Sequence, residues 1–369
     1  MLGKLQLNTF TIILINAAFG AIVLIGLSLF MFIILKIYKQ YPFKPFFIKL
    51  LETLLGIFYI IFNLLALFSP SIFLSTVFYS CSIISLMTVL ALEALFLRIL
   101  KRSTISLHYL ILLSCIPIFK LILLVLHPIN VFRIDNIFIR EAHLQFFSVF
   151  LTDITILIIF YEFISLVRGL MEISSKRSYA IKLLLIYSLM LVFIPAFEYS
   201  KQYELLAIAL PYIEGAAAEI AFFSIVLLFR KNPDRMLLLP IKVYGFLMHT
   251  YGGLPLIRKA FRNDYERAIT LSSSLVASII SLEKAVEYGK KEDLFRPHKL
   301  INITILMYFG EFVVGTFISN DDNIVLREIL KSIVDEFEKT IGYIDEGMVT
   351  DRDTRIAEDI LSKYIVMLL

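Results

Sequence analysis

Cysteine and charge are what this chain has least of, and each shortage removes a class of protein. Only two cysteines occur, Cys81 and Cys115. Both sit inside apolar runs, so neither a disulfide framework nor a zinc cluster can be built. Charged residues make up 18% of the 369, below the roughly 25% usual in soluble domains. That excludes a disordered tail and a basic nucleic-acid binder. Catalytic signatures are missing too. Gly252-Gly253-Leu254-Pro255-Leu256-Ile257-Arg258-Lys259 lacks the second glycine and the hydroxyl of a phosphate-binding loop. There is no H-E-x-x-H, G-x-S-x-G or paired C-x-x-C. The chain therefore reads as neither an enzyme nor a cofactor carrier. His127 and His143 are read either as a shared metal site or, more blandly, as interfacial side chains.

Apolar residue is what the chain has in excess: 59% is hydrophobic and the mean hydropathy is +0.85. Crossing a hydrocarbon layer of roughly 30 Å takes about 20 mostly apolar helical residues. Seven stretches qualify: Thr9–Ile37, Phe47–Phe68, Ser71–Leu100, Ser106–Leu126, Leu144–Leu166, Tyr179–Phe197 and Leu205–Phe229. The first is too long for a signal-peptide core. Basic residues then orient the bundle. One set of connections holds Lys39, Lys44, Lys49, Arg98, Lys101, Arg102, Arg168, Lys176, Arg177 and Lys182, and Arg230, Lys231 and Arg235 follow the last span. The opposite set holds only Lys4, Arg133, Arg140 and Lys201. The bias places the N-terminus outside and the C-terminus in the cytoplasm, which an odd number of spans satisfies.

Composition changes at Lys231-Asn232-Pro233-Asp234-Arg235, beyond which the charged fraction roughly doubles. This divides the chain into a membrane part over 1–232, a juxtamembrane linker over 233–240 and a soluble domain over 241–369. Val243–Tyr251 and Leu254–Phe261 are β-rich runs around Gly252-Gly253, a two-residue hairpin signal. A helix from about Asp264 to Val286 presents Tyr265, Ile269, Val276, Ile279, Leu282 and Val286 at helical spacing. Pro297 marks Leu294–Leu300 as an edge strand. Ile301–Tyr308 and Phe312–Ser319 follow, with Gly310 opening the turn between them. Asn320-Asp321-Asp322-Asn323 offers caps for a helix over Ile324–Ile341 that Gly342 ends. Asp353 or Thr354 caps a last helix, and the charged run Asp351-Arg352-Asp353 reads as solvated loop.

The resulting order, β-β-α-β-β-β-α-α, predicts a five-stranded antiparallel sheet with helices on its faces. With the Gly-Gly-Leu-Pro-Leu hairpin at 252–256, it resembles the longin domain and its relative the roadblock domain, both profilin-like. The hairpin follows the membrane segment directly, which favours longin. The resemblance implies binding and not catalysis: such domains pair with one another and serve as platforms for small Ras-like GTPases or membrane-traffic machinery. The membrane part is similar to seven-helix receptors in span count and orientation alone.

Ionisable groups inside spans are expensive unless paired or hydrated. Glu52, Glu93 and Glu162 fall near the inner surface, beside Lys49, Arg98 and Arg168, and read as interfacial pairs. Lys120, about 9 Å deep, and Asp153 and Glu214, each about 13 Å deep, stand at similar depth on three helices. They are the candidate ligand-binding residues of a polar intramembrane pocket, with Pro117, Pro195 and Pro211 opening room nearby. The competing reading is a charge pair that only fixes helix packing.

The expected function is a membrane-anchored sensor or adaptor, in the plasma membrane, that takes a small molecule from outside and relays through the cytoplasmic domain. A proton-coupled or secondary carrier built on Lys120, Asp153 and Glu214 is the alternative, although no inverted repeat supports alternating access.

Overall fold

The computed structural model describes residues 9–40, 43–102, 104–126, 131–134, 137–140, 146–173, 176–178, 180–185, 239–261, 263–286, 295–300, 303–342 and 349–368. The chain forms two compact units: one over 1–98, 105–167 and 178–233, the other over 99–104, 168–177 and 234–369.

The first unit is built on helices α1 (Thr9–Gln40), α2 (Lys44–Leu67), α3 (Ile72–Lys101), α4 (Leu107–Leu126) and α5 (Phe146–Met171). All five contain stretches long and apolar enough to cross a membrane. Of the expected sixth span, residues 180–185 are helical; its remainder and the whole of the seventh lie outside the described residues. Pro45 sits in the first turn of α2, where a missing N–H removes no helical hydrogen bond. Hydroxyls on α3 are satisfied within the helix: Thr76, Ser80, Ser85 and Thr88 each donate to the carbonyl four residues earlier, at 2.8–3.0 Å. An apolar surround leaves them few other partners. Ser75 instead donates to Ala66 O at the end of α2, at 2.9 Å, filling one of that helix's orphan acceptors. Between α4 and α5 the sequence reading has only a loop, yet β1 (Val131–Ile134) and β2 (Ile137–Arg140) pair there as an antiparallel hairpin. Four-residue strands are too short to declare an alternation.

The second unit carries β3 (Val243–Thr250), β4 (Pro255–Ala260), α6 (Glu266–Val286), β5 (Phe295–Lys299), β6 (Thr304–Phe309), β7 (Val313–Ser319), α7 (Ile324–Ile341) and α8 (Asp351–Leu368). The strands make one antiparallel sheet in the order β4-β3-β7-β6-β5. The three central strands are buried almost throughout, because both faces are covered. Leu247, Ile305, Met307, Val314 and Ile318 pack with Ile269, Val276 and Ile280 of α6. On the opposite face Gly315 leaves room for Val334 and Leu330 of α7, and Phe246 and Phe317 meet with ring centroids 5.3 Å apart. Pro297 lies in β5, at the sheet edge, where its missing donor interrupts nothing.

Local details differ from the sequence expectations in instructive ways. The β3–β4 loop has four residues, closed by Gly253 N to Thr250 O and Thr250 N to Leu254 O, both 2.9 Å; only Gly253 takes a positive φ, +82°. Gly310 is required for space and not for turning. A Cβ there would fall 2.3 Å from Glu338 Oε1, the atom that accepts from Phe312 N at 2.7 Å and Val313 N at 3.1 Å. Helix α8 begins at Asp351, so Asp351-Arg352-Asp353 is its first turn and not a loop. Thr350 is its cap: Thr350 Oγ1 accepts from Asp353 N at 3.3 Å, and Asp353 Oδ2 accepts from Thr350 N at 3.0 Å, a reciprocal capping box. In α6 the buried stripe runs through Ile269, Ser273, Val276 and Ile280, whereas the expected core residue Leu282 is 65% exposed.

Ser273 belongs to that stripe because it meets His249 of β3, Oγ to Nε2 at 2.8 Å. Both are buried, so the pair packs the core instead of facing a substrate. Burial, reinforced by the charge of Arg258, pushes the His249 pKa down to about 4. The unfolded chain, near the ordinary value of about 6.5, takes up the proton first. Stability is therefore full above pH of about 6.5 and falls by up to about 3 kcal/mol as pH drops toward 4. Thermal melts of the full chain across this window should show a steeper acid slope than those of His249→Gln. Equal slopes would remove His249 as the cause.

Candidate functional site

Among the described residues of the first unit, polar side chains gather where α3 approaches its C-terminal end. Glu93 and Arg98 are five residues apart, roughly 140° around the helix, so one α3 segment serves two neighbours. Toward α2, Lys49 Nζ pairs with Glu93 and with Glu52, 3.0 Å from its Oε2. It also lies over the Phe96 ring, 4.4 Å from the centroid. In the other direction, Arg98 Nη1 meets Glu162 Oε1 of α5 at 3.0 Å. The guanidinium covers the Tyr109 ring of α4 at 4.9 Å, and Tyr109 Oη donates to Ala94 O at 3.4 Å.

These groups are held by burial. Glu162 is 1% and Glu93 8% exposed, in helices whose side chains are mostly apolar. Such pairs survive only when geometry and hydrogen bonds offset desolvation. The two-sided grip on Arg98, a carboxylate on one flank and a ring face on the other, suits a planar guanidinium and not an ammonium. That these glutamates need basic partners was legible in the sequence. The partner of Glu162 was not: it is Arg98, from another helix, and not the nearby Arg168.

Beside the Arg98–Glu162 pair lies a cavity of about 370 Å³, lined by Arg98, Tyr109, Ile154, Leu157, Ile158, Tyr161 and Glu162. Ile154, Ile158, Tyr161 and Glu162 recur at four, three and one residues, which keeps them along one side of α5. Leu157 and Tyr161 are 64% and 65% exposed, so the cavity opens outward from the helices. No sequence motif announces it; the spacing on α5 alone carries a faint signal.

The sequence-derived pocket residues are placed as follows. Lys120 is buried in α4 and its Nζ lies 3.4 Å from Thr152 Oγ1 of α5. Thr152 Oγ1 in turn lies 3.8 Å from Met87 Sδ of α3. Asp153 follows Thr152 on α5 and is partly exposed. The structure thus brings Lys120 to the residue adjoining Asp153, while Glu214 lies outside the described residues, as do Pro195, Pro211, His127 and His143. Pro117 stands within α4, which continues through it. No group of three metal-ligating side chains occurs among the described residues.

The second unit, which takes in residues 99–104 and 168–177, has buried joints of its own. Asn323 caps α7, its Oδ1 accepting from Leu326 N at 2.7 Å. The same side chain donates from Nδ2 to Leu100 O at 2.7 Å, and Ile324 N donates to Arg102 O at 3.0 Å. Lys176 Nζ reaches Leu239 O at 3.3 Å, and burial lowers its pKa to about 8. Comparison with known proteins adds no relative: no family model matches the chain, nor does any curated protein or solved structure.

Proposed function

We propose that this chain is a membrane-anchored sensor or adaptor, with a longin-like module on the cytoplasmic side that grips other proteins. In this reading the bundle has seven spans, N-terminus out and C-terminus in, and sits in the plasma membrane. The observation that carries it is helix α6. Its inner stripe fills the core, yet a second stripe, Leu271, Leu275 and Leu282, is 69%, 45% and 65% exposed. Their spacings of four and seven residues set them along one side of the helix. A row of open leucines in a charged domain marks an interaction surface, and a helix face is a surface that partner helices and grooves engage. The antiparallel sheet with helices on both faces supports the longin-like reading, whose expected partners are small Ras-like GTPases or another longin or roadblock domain.

The test uses the full chain in nanodiscs. Binding of small Ras-like GTPases is measured in their GDP and GTP-analogue states, and self-association by mass photometry. One of the two should occur and should weaken at least about tenfold in Leu275→Asp, since a charge forced into an apolar contact costs more than about 1.4 kcal/mol. Absence of both nucleotide-dependent binding and self-association would end the adaptor reading.

A further inference from the structure

The cavity beside Arg98 has the layout of a lipid seat, and we propose that it holds one anionic bilayer phospholipid, with a phosphodiester on Arg98 and an acyl chain along α5. This inference concerns the first unit alone and stands whether or not the adaptor reading does. The layout has an end for each part of such a molecule. Arg98 is three residues from the end of α3 and Tyr109 two from the start of α4, about 5 Å and 3 Å along their helices. That is the headgroup level for a helix crossing the layer. Ile158, Leu157 and Ile154 lie successively farther along α5 from this end, so the apolar wall extends from the headgroup level inward. From Tyr161 to Ile154 the helix rises about 10 Å, room for a substantial part of one acyl chain.

Charge selects the head. Arg98 spends Nη1 on Glu162, yet its side chain stays 22% exposed, so part of the guanidinium edge is open to a ligand. A guanidinium has five N–H donors in a rigid fork. A phosphate oxygen suits the remainder of that fork, and pairing with phosphate is the chemistry in which arginine exceeds lysine. The ring of Tyr109 holds the fork flat, which leaves its edge, and not its face, for the incoming anion. Inorganic phosphate offers the same oxygens but nothing for Ile154, Leu157 and Ile158. Those three side chains favour a molecule with a chain.

The absence of tryptophan from the chain supplies the test. Tyr161→Trp places a sole tryptophan on the cavity wall. Phe160→Trp places one at the neighbouring position, 42% exposed and about 100° around the same helix. Each full-length variant is reconstituted in phosphatidylcholine vesicles containing a small fraction of dibrominated phosphatidylglycerol, or of dibrominated diacylglycerol, which has the chains without the phosphate. Bromine quenches only a tryptophan it touches. The expected result is about fivefold stronger quenching for Tyr161→Trp than for Phe160→Trp with the phospholipid, the enrichment one basic side chain gives at an anionic headgroup. With diacylglycerol the two reporters should match. In the added background Arg98→Gln/Glu162→Gln, which leaves no lone buried charge, the preference should disappear. Equal quenching of the two reporters by the phospholipid overturns the proposal. An equal preference for diacylglycerol also overturns it, by reducing the site to an apolar groove. Relief of quenching by millimolar inorganic phosphate would overturn the lipid as the source of the phosphate.

Discussion

Glu162→Ala is expected to lower the stability of the full chain by about 3–5 kcal/mol, the range for removing one partner of a buried ion pair. The carboxylate is 1% exposed and its Oε1 lies 3.0 Å from Arg98 Nη1. Without it, a guanidinium on α3 with only 22% of its side chain exposed is left facing apolar side chains of α5, and a charge so placed keeps much of its desolvation penalty. The cost is thus mostly that of stranding Arg98 and not the worth of the pair. A double-mutant cycle separates the two. Arg98→Met/Glu162→Ala should recover much of the loss, because a paired charge and an apolar substitute of similar volume come out nearly even. Thermal melts in one detergent at one pH provide all four corners. A double variant no more stable than Glu162→Ala would mean that the carboxylate matters through contacts other than Arg98.

That pair illustrates what sequence can and cannot disclose here. Glu162 inside an apolar run is visible as an expensive residue that needs a partner. Which partner depends on how α3 and α5 turn toward each other, and Arg168, six residues away on the same helix, looks as good on paper. The second domain divides along the same line. Local signals are strong in it: Asn323 before a periodic apolar run, Gly342 after it, Pro297 in a short strand. Each is fixed by neighbours in sequence, and the observed cap, stop and edge follow. The pairing of β3 with β7 joins segments more than sixty residues apart, and no local pattern states it.

Hydrophobicity misleads where a polar residue has a buried partner or an apolar one has none. Ser273 enters the α6 stripe because His249 Nε2 awaits it at 2.8 Å, whereas Leu282 looks like core and is 65% exposed. The same inversion exposes Leu271 and Leu275, the row on which the proposed interaction face rests. The charged turn at 351–353 is a helix start. Thr350 and Asp353 stand at capping-box spacing, a signal that the charges of the run conceal.

Asn323→Ala is the second large effect expected, a loss of about 2–4 kcal/mol, because one side chain completes two helices. Its Oδ1 accepts from Leu326 N in the first turn of α7, and its Nδ2 donates to Leu100 O in the last turn of α3. Both are among the groups that a helix cannot satisfy internally, and Asn323 is fully buried, so water cannot replace it. Asn323→Ser separates the roles: serine is a good cap but lacks the amide donor. It should retain the α7 part and lose the Leu100 part, costing about 1–2 kcal/mol less than alanine. Hydrogen exchange then locates the damage. In Asn323→Ser the amides near Leu100 should exchange faster while the start of α7 stays protected; in Asn323→Ala both should open. If exchange near Leu100 is the same in wild type and both variants, α3 does not depend on this bond, and Asn323 is a cap for α7 alone.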